Sequence, residues 1–151
     1  MIERTVAVLY SGGKDSTYAI EQLRNSGFKV SCLITVVSEN AYSYMLHTSN
    51  IQATGLCAKA LEIPRVLGFT KGEKERELAD IKNTIVEARK EFGFTHLGSG
   101  AICSEYQKSR LDRIAKSISL FPEAPLWGVD QRTYVSEIVG MGYNFILTSV
   151  S

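Results

Sequence analysis

Residues 6–16 read VAVLYSGGKDS: an apolar run ends at Ser11, the chain turns through Gly12 and Gly13, and a helical pattern opens at Asp15. A buried strand that feeds a glycine turn and a helix start leaves several backbone N–H groups without partners, aimed at one point near the positive end of the helix. That point suits a phosphate. The glycines let the backbone approach an anion closely, and Lys14, Ser11 and Ser16 add a charge and two hydroxyls at the same place. The stretch is not a Walker A loop, which needs G-x-x-x-x-G-K-[ST]; Val8 occupies the first glycine position and Asp15 follows Lys14. The plain alternative is an ordinary strand-to-helix turn capped by Asp and Ser.

The surrounding composition sets bounds on what such a loop can serve. A length of 151 residues with 44% hydrophobic and 22% charged residues fits one globular domain. A net charge of +1 gives no general attraction for a nucleic acid or an anionic membrane, so any basic site must be local. Cys32, Cys57 and Cys103 are odd in number and form no C-x-x-C pair, which points to reduced thiols and a cytoplasmic protein rather than a disulfide or zinc framework. No signal peptide and no membrane span is expected from the apolar runs.

Apolar, β-rich runs recur at 5–10, 30–37, 65–69, 96–99, 125–129 and 144–150, and helical patterns lie between them. The clearest helix is expected over 73–92, with Leu78, Ile81, Ile85, Ala88 and Phe92 on one stripe and Gly93 as its stop. Others are expected over 15–26, 50–62, 105–119 and 131–141. This alternation predicts an α/β fold, a doubly wound open parallel sheet with helices on both faces. In such a sheet the ligand crevice lies at the carboxyl ends of the strands where the winding reverses. The two strand exits richest in glycine and hydroxyls are 11–16 and 98–104, so the first and fourth strands are expected to flank it.

The fourth exit reads GSGAICSEYQKSR over 98–110. Its small residues, Gly100 and Ala101 among them, let a flat purine or ribose lie against the backbone, and Ser104 precedes another helix start. Gln107 and Arg110, three apart, share a helical face and offer an amide and a guanidinium to a carboxylate or phosphoryl oxygen, unless they are ordinary surface residues. The segment SENAYSYMLHTSN over 38–50 brings Tyr42, Tyr44 and His47 after the second strand as a candidate cover, or as a cap with satellite core. His47 and His96 have no metal-ligand spacing; magnesium carried by ATP is the fitting cation, and Asp15 is the carboxylate nearest its phosphates. Cys103, beside Ser104, and Trp127 read as packing residues.

Taken in order and spacing, SGGKDS (11–16), SYMLHT (43–48), GSGAICSEYQKSR (98–110) and APLW (124–127) bring a family into view. The first resembles the SGGxDS loop of the ATP pyrophosphatases, and the combination resembles the diphthine-ammonia ligase family, a branch of that group with the HUP-type, adenine nucleotide alpha hydrolase-like fold. The resemblance implies amidation of diphthine on translation elongation factor 2 with ATP, Mg2+ and ammonium, through an acyl-adenylate, giving AMP and pyrophosphate. It assigns Ser11, Gly12, Gly13, Lys14, Asp15 and Ser16 to the pyrophosphate loop. Val37, His47, Gly100, Ala101, Ser104 and Gln107 are placed with the nucleotide, and Tyr106 beside them in the second wall. Lys14, Asp15, Ser16 and Arg110 are the expected catalytic set, with Asp15 on the metal.

Family members continue into a segment with an E-G-G-E type motif on the acceptor side, whereas this sequence stops at Ser151. The expectation is therefore an ATP-binding PP-loop domain over 1–151 with that segment absent. Its partners would be ATP, ammonium and the elongation factor, with no membrane and no nucleic acid; a homo-oligomer stays open. Two rivals remain: a tRNA-modifying, thiolase-like ATP pyrophosphatase, for which Cys57 or Cys103 would carry sulfur, and a non-catalytic adenine-nucleotide-binding module.

Overall fold

The computed structural model describes residues 3–147. Strand alternation in the first two strands sets its layers. In β1 (Thr5–Leu9), Val6 and Val8 point to one face and Ala7 to the other, all fully buried. In β2 (Lys29–Ser38), Leu33 points one way and Cys32, Ile34 and Val36 the other. A sheet buried on both faces requires helices on both, and each fully buried Val or Leu contributes roughly 1.5–3 kcal/mol.

Helices α1 (Lys14–Asn25) and α2 (Thr54–Ala60) supply one layer, in which Ile20, Leu23 and Ala58 pack with Val6, Val8 and Leu33. On the other face, α3 (Arg76–Phe92) and α4 (Glu105–Ser117) bring Ile81, Ile85, Ala88, Ile114 and Ala115 against Ala7, Ile34 and Val36. Gly93, with φ 61°, stops α3. With β3 (Arg65–Thr70), β4 (His96–Gly98) and β5 (Phe121–Glu123), the sheet has five parallel strands in the order β3-β2-β1-β4-β5. The winding reverses between β1 and β4, as the alternation predicts.

Three expected elements differ. The fifth strand lies at Phe121–Glu123 rather than over 125–129. Pro122 is tolerated there because β5 closes the sheet as an edge among the described residues. The apolar residues after it form turns instead: Trp127 N–H donates to Ala124 O at 3.1 Å and Val129 N–H to Leu126 O at 3.2 Å, while Leu126 buries itself against α1. The run at 144–150 forms no strand over 144–147, and 148–150 lie outside the described residues. The helix expected over 50–62 begins as a short 3-10 turn, Ile51–Ala53, before α2.

The last helix, α5 (Gln131–Gly140), is capped by Asp130, whose carboxylate accepts from Thr133 N–H at 2.9 Å. It docks on α1 through Tyr134 and Ile138 against Tyr18 and Ala19. Tyrosine–carboxylate bonds cross this junction. Tyr18 donates to Glu137 at 2.8 Å, Tyr134 donates to Asp15 at 2.8 Å, and Tyr143, just after α5, donates to Glu21. Burial first, then the neighbouring carboxylates, push Tyr18 and Tyr143 from 10.0 up to about 12, and the same causes raise Tyr134.

The fold thus favours the protonated phenols. This stabilisation is fully present below the unfolded value of 10.0 and disappears as pH rises toward about 12. We expect the melting temperature to fall across that window, with Tyr18→Phe showing a shallower fall than wild type. Parallel slopes for the two proteins would mean that the Tyr18 bond does not contribute.

Candidate active site

The loop at the head of α1 is shaped by what its residues lack. Gly12 has φ +78°, and an added Cβ would come within 3.1 Å of Thr54 Cγ2. Gly13 occupies the helix N-cap with no side-chain cap, so the first-turn N–H groups have no intrahelical acceptor and no capping side chain. The serines brace the loop: Ser11 and Ser16 hydroxyls lie 3.2 Å apart, Gly13 N–H donates to Ser11 Oγ at 3.3 Å, and Ser16 Oγ donates to Gly13 O at 3.2 Å. Lys14 Nζ pairs with Asp15 Oδ1 at 2.8 Å, and Tyr134 donates to the same oxygen.

The exit of β4 forms the facing wall. At Gly100 an added Cβ would lie 2.7 Å from Asp15 C and Ser16 N, so the backbone passes directly against the first turn of α1. Between the walls is a cavity of about 390 Å³. Ser11, Gly13, Lys14, Asp15, Ser16, His47, Gly100, Ala101 and Gln107 line it. Asp15 is the only carboxylate among the described lining residues. The covering segment is tied down at two points. Gln107 Nε2 donates to Tyr44 O and Met45 O at 3.3 and 3.4 Å. Ser43 Oγ donates to buried Glu77 at 2.7 Å while accepting from Leu46 N–H at 3.0 Å.

Five expected site residues are placed otherwise, among them Tyr106, whose ring lies beside that of Tyr44 and outside the cavity lining. Gly12 shapes the loop from behind without lining the cavity. Val37 lies one residue beyond Val36, which lines the cavity, and strand alternation turns Val37 to the opposite face. Ser104 serves as the N-cap of α4, accepting from Gln107 N–H at 3.4 Å. Arg110 stacks on Tyr106 at 3.5 Å and pairs with Glu75 at 3.0 Å, so its charge is matched outside the cavity lining. Four further residues carry no local signature of a place at the site. Tyr134 reaches Asp15 across 119 residues of sequence, and Phe145, Ile146 and Leu147 line the cavity where a strand was expected.

A helix start without a capping side chain, an adjacent lysine and one carboxylate thus lie at the carboxyl ends of parallel strands where the winding reverses, in a HUP-type doubly wound α/β fold. The family model of the diphthamide synthase N-terminal domain matches residues 4–122, and the chain belongs to that family. It is 28% identical to the diphthine–ammonia ligase of Danio rerio and 27% identical to that of Homo sapiens; 97% of this chain is covered in both cases. The chain spans 64% and 61% of those relatives' lengths. Two solved structures share the fold, each with a TM-score of 0.53. The crystal structure of PH1313 from Pyrococcus horikoshii is 14% identical, covering 92% of this chain and 42% of that one. The U34-tRNA thiolase NcsA from Methanococcus maripaludis is 16% identical, covering 95% and 60%.

The contact at Gly100 is testable. Gly100→Ala must separate β4's exit from α1 and should destabilise the fold by roughly 1–3 kcal/mol in urea unfolding. Gly140→Ala, where an added Cβ meets nothing within 4 Å, is the control and should not destabilise. Equal effects would remove the close approach as a constraint.

Proposed function

We propose that this chain is the nucleotide-binding part of an ATP-dependent amide ligase, which activates the diphthine carboxylate of elongation factor 2 and passes it to ammonia. The observation that carries the reading is a single cavity walled by both the 11–16 loop and the β4 exit, in a chain of the diphthamide synthase N-terminal domain family.

In this reading the acceptor carboxylate attacks the α phosphorus of ATP, forming the acyl–phosphate bond as the α–β bridge breaks and the electron pair leaves with pyrophosphate. The first-turn N–H groups of α1 and Lys14 receive the charge that develops on the leaving group; one such preorganised donor is worth ~3 kcal/mol of barrier. Ammonia then attacks the acyl carbon, and AMP departs. Ser11 and Ser16 keep the loop in shape, Gln107 holds the covering segment, and His47 on that segment lines the cavity beside the nucleotide. Arg110 can serve the acceptor only by exchanging Glu75 for the incoming carboxylate. Asp15 fits a magnesium ion delivered with ATP, since a lone carboxylate beside phosphates is the usual protein share of such a site. When bound, the ion neutralises phosphate charge. A sulfur-transfer reading has less support because neither Cys57 nor Cys103 lines the cavity.

Incubating the protein with α-labelled ATP, magnesium and ammonium, with and without diphthine-bearing elongation factor, should give AMP and pyrophosphate dependent on the acceptor. ADP and phosphate as main products would overturn the reading, and nucleotide binding without turnover would favour the non-catalytic module. By calorimetry, Asp15→Asn and Ser16→Ala should each weaken ATP binding about tenfold, the loss of one charge-assisted contact. Unchanged affinity in both would remove the loop from the site.

A further inference from the structure

We propose that Tyr134 is a positioning residue for the phosphate loop: its hydroxyl fixes one oxygen of Asp15 so that the other is presented to the cation that accompanies ATP. The inference rests on the reading of residues 11–16 as the ATP site.

The α1–α5 junction contains three tyrosine–carboxylate bonds, and they are not equivalent. Tyr18 to Glu137 and Tyr143 to Glu21 join groups that do not line the cavity, so they account for docking. Tyr134 to Asp15, at 2.8 Å, is the one that ends on a cavity residue. The Tyr134 ring is held rigidly: it is 1% exposed, packs 5.5 Å from the Tyr18 ring, and shares the buried face of α5 with Ile138. Its hydroxyl is therefore delivered from a fixed frame.

What it fixes is a choice between two oxygens. Lys14 Nζ and Tyr134 OH both donate to Asp15 Oδ1 at 2.8 Å, while Oδ2 has no hydrogen-bond partner among the described residues. Lys14 also stands 5.8 Å from the Tyr134 ring centroid, so this ring frames both charged side chains of the loop. A phenol orients a carboxylate without cancelling its charge, which a second cation would do. Removing the hydroxyl would leave Lys14 as the only donor and free the carboxylate to rotate.

The test compares hydroxyl deletions within one cluster. Tyr134→Phe should weaken ATP binding about tenfold in the presence of magnesium and leave binding in its absence unchanged. Tyr18→Phe, which removes a hydroxyl from the same junction, should bind like wild type in both conditions. In the Asp15→Asn background, adding Tyr134→Phe should cause no further loss, whereas a merely structural role would produce the same loss in both backgrounds. In the wild-type protein, the Tyr134 ring resonances should shift further when magnesium is added to the ATP-bound protein, a measurement that needs no variant. Wild-type magnesium dependence in Tyr134→Phe, or no further resonance shift, overturns the inference. Failure of the wild type to bind ATP at all overturns the underlying site reading instead.

Discussion

The close passage of the β4 exit against the first turn of α1 is the constraint on which the rest of the site depends. Gly100 admits no Cβ there because backbone atoms of Asp15 and Ser16 already occupy the space. Strand order sets the two exits side by side. With β1 and β4 adjacent and parallel, and their following helices on opposite faces of the sheet, the two exits diverge above the strand ends and leave a crevice. The loop that could hold an anion and the wall that faces it are therefore set by one contact.

The electrostatics follow from the same arrangement. A net charge of +1 exerts little long-range pull, so the field that matters is local: Lys14 and the uncapped start of α1, moderated by Asp15. Leaving Gly13 at the cap position costs the helix only about a few tenths of a kcal/mol against a capping side chain, a small sacrifice made where the N–H groups face a cavity. Ser104 shows the other solution. At the head of α4 a hydroxyl closes the cap, and that helix contributes Gln107 to the site rather than its backbone amides.

What the sequence made legible was local. The glycine turn at 11–16, the stop of α3 at Gly93 and the β4 exit are each specified by a few adjacent residues, and each falls where its pattern predicts. The misplacement of β5 has the same origin in reverse: PLWGV is apolar enough for a strand, but Leu126 is buried by α1 and α5 rather than by sheet neighbours. Periodicity cannot tell those two kinds of burial apart. Arg110 and Tyr134 lie at the far end of this scale. The first was readable as a free guanidinium and is matched by Glu75, while the second was invisible because its partner is 119 residues away.

The cavity divides its surface by chemistry, and that division constrains how anything can lie in it. Lys14, Asp15, Ser11 and Ser16 form a polar end at the loop, whereas Ile34, Val36, Met45, Ile81 and Leu111 line it with hydrocarbon. A small inorganic anion at the loop would leave the apolar lining hydrated and its hydrophobic gain unused. A ligand with a polyanionic end and a flat, weakly polar end satisfies both, and its orientation then follows: charge toward α1, ring toward the strands and α3. The segment bearing His47 closes over the boundary between the two regions, held by Gln107 on one side and Glu77 through Ser43 on the other. In the proposed reaction, the acceptor would approach from the side this cover leaves open. The exposed rings of Tyr42 and Tyr44 on that segment therefore stand where the chain meets solvent rather than where it meets the anion.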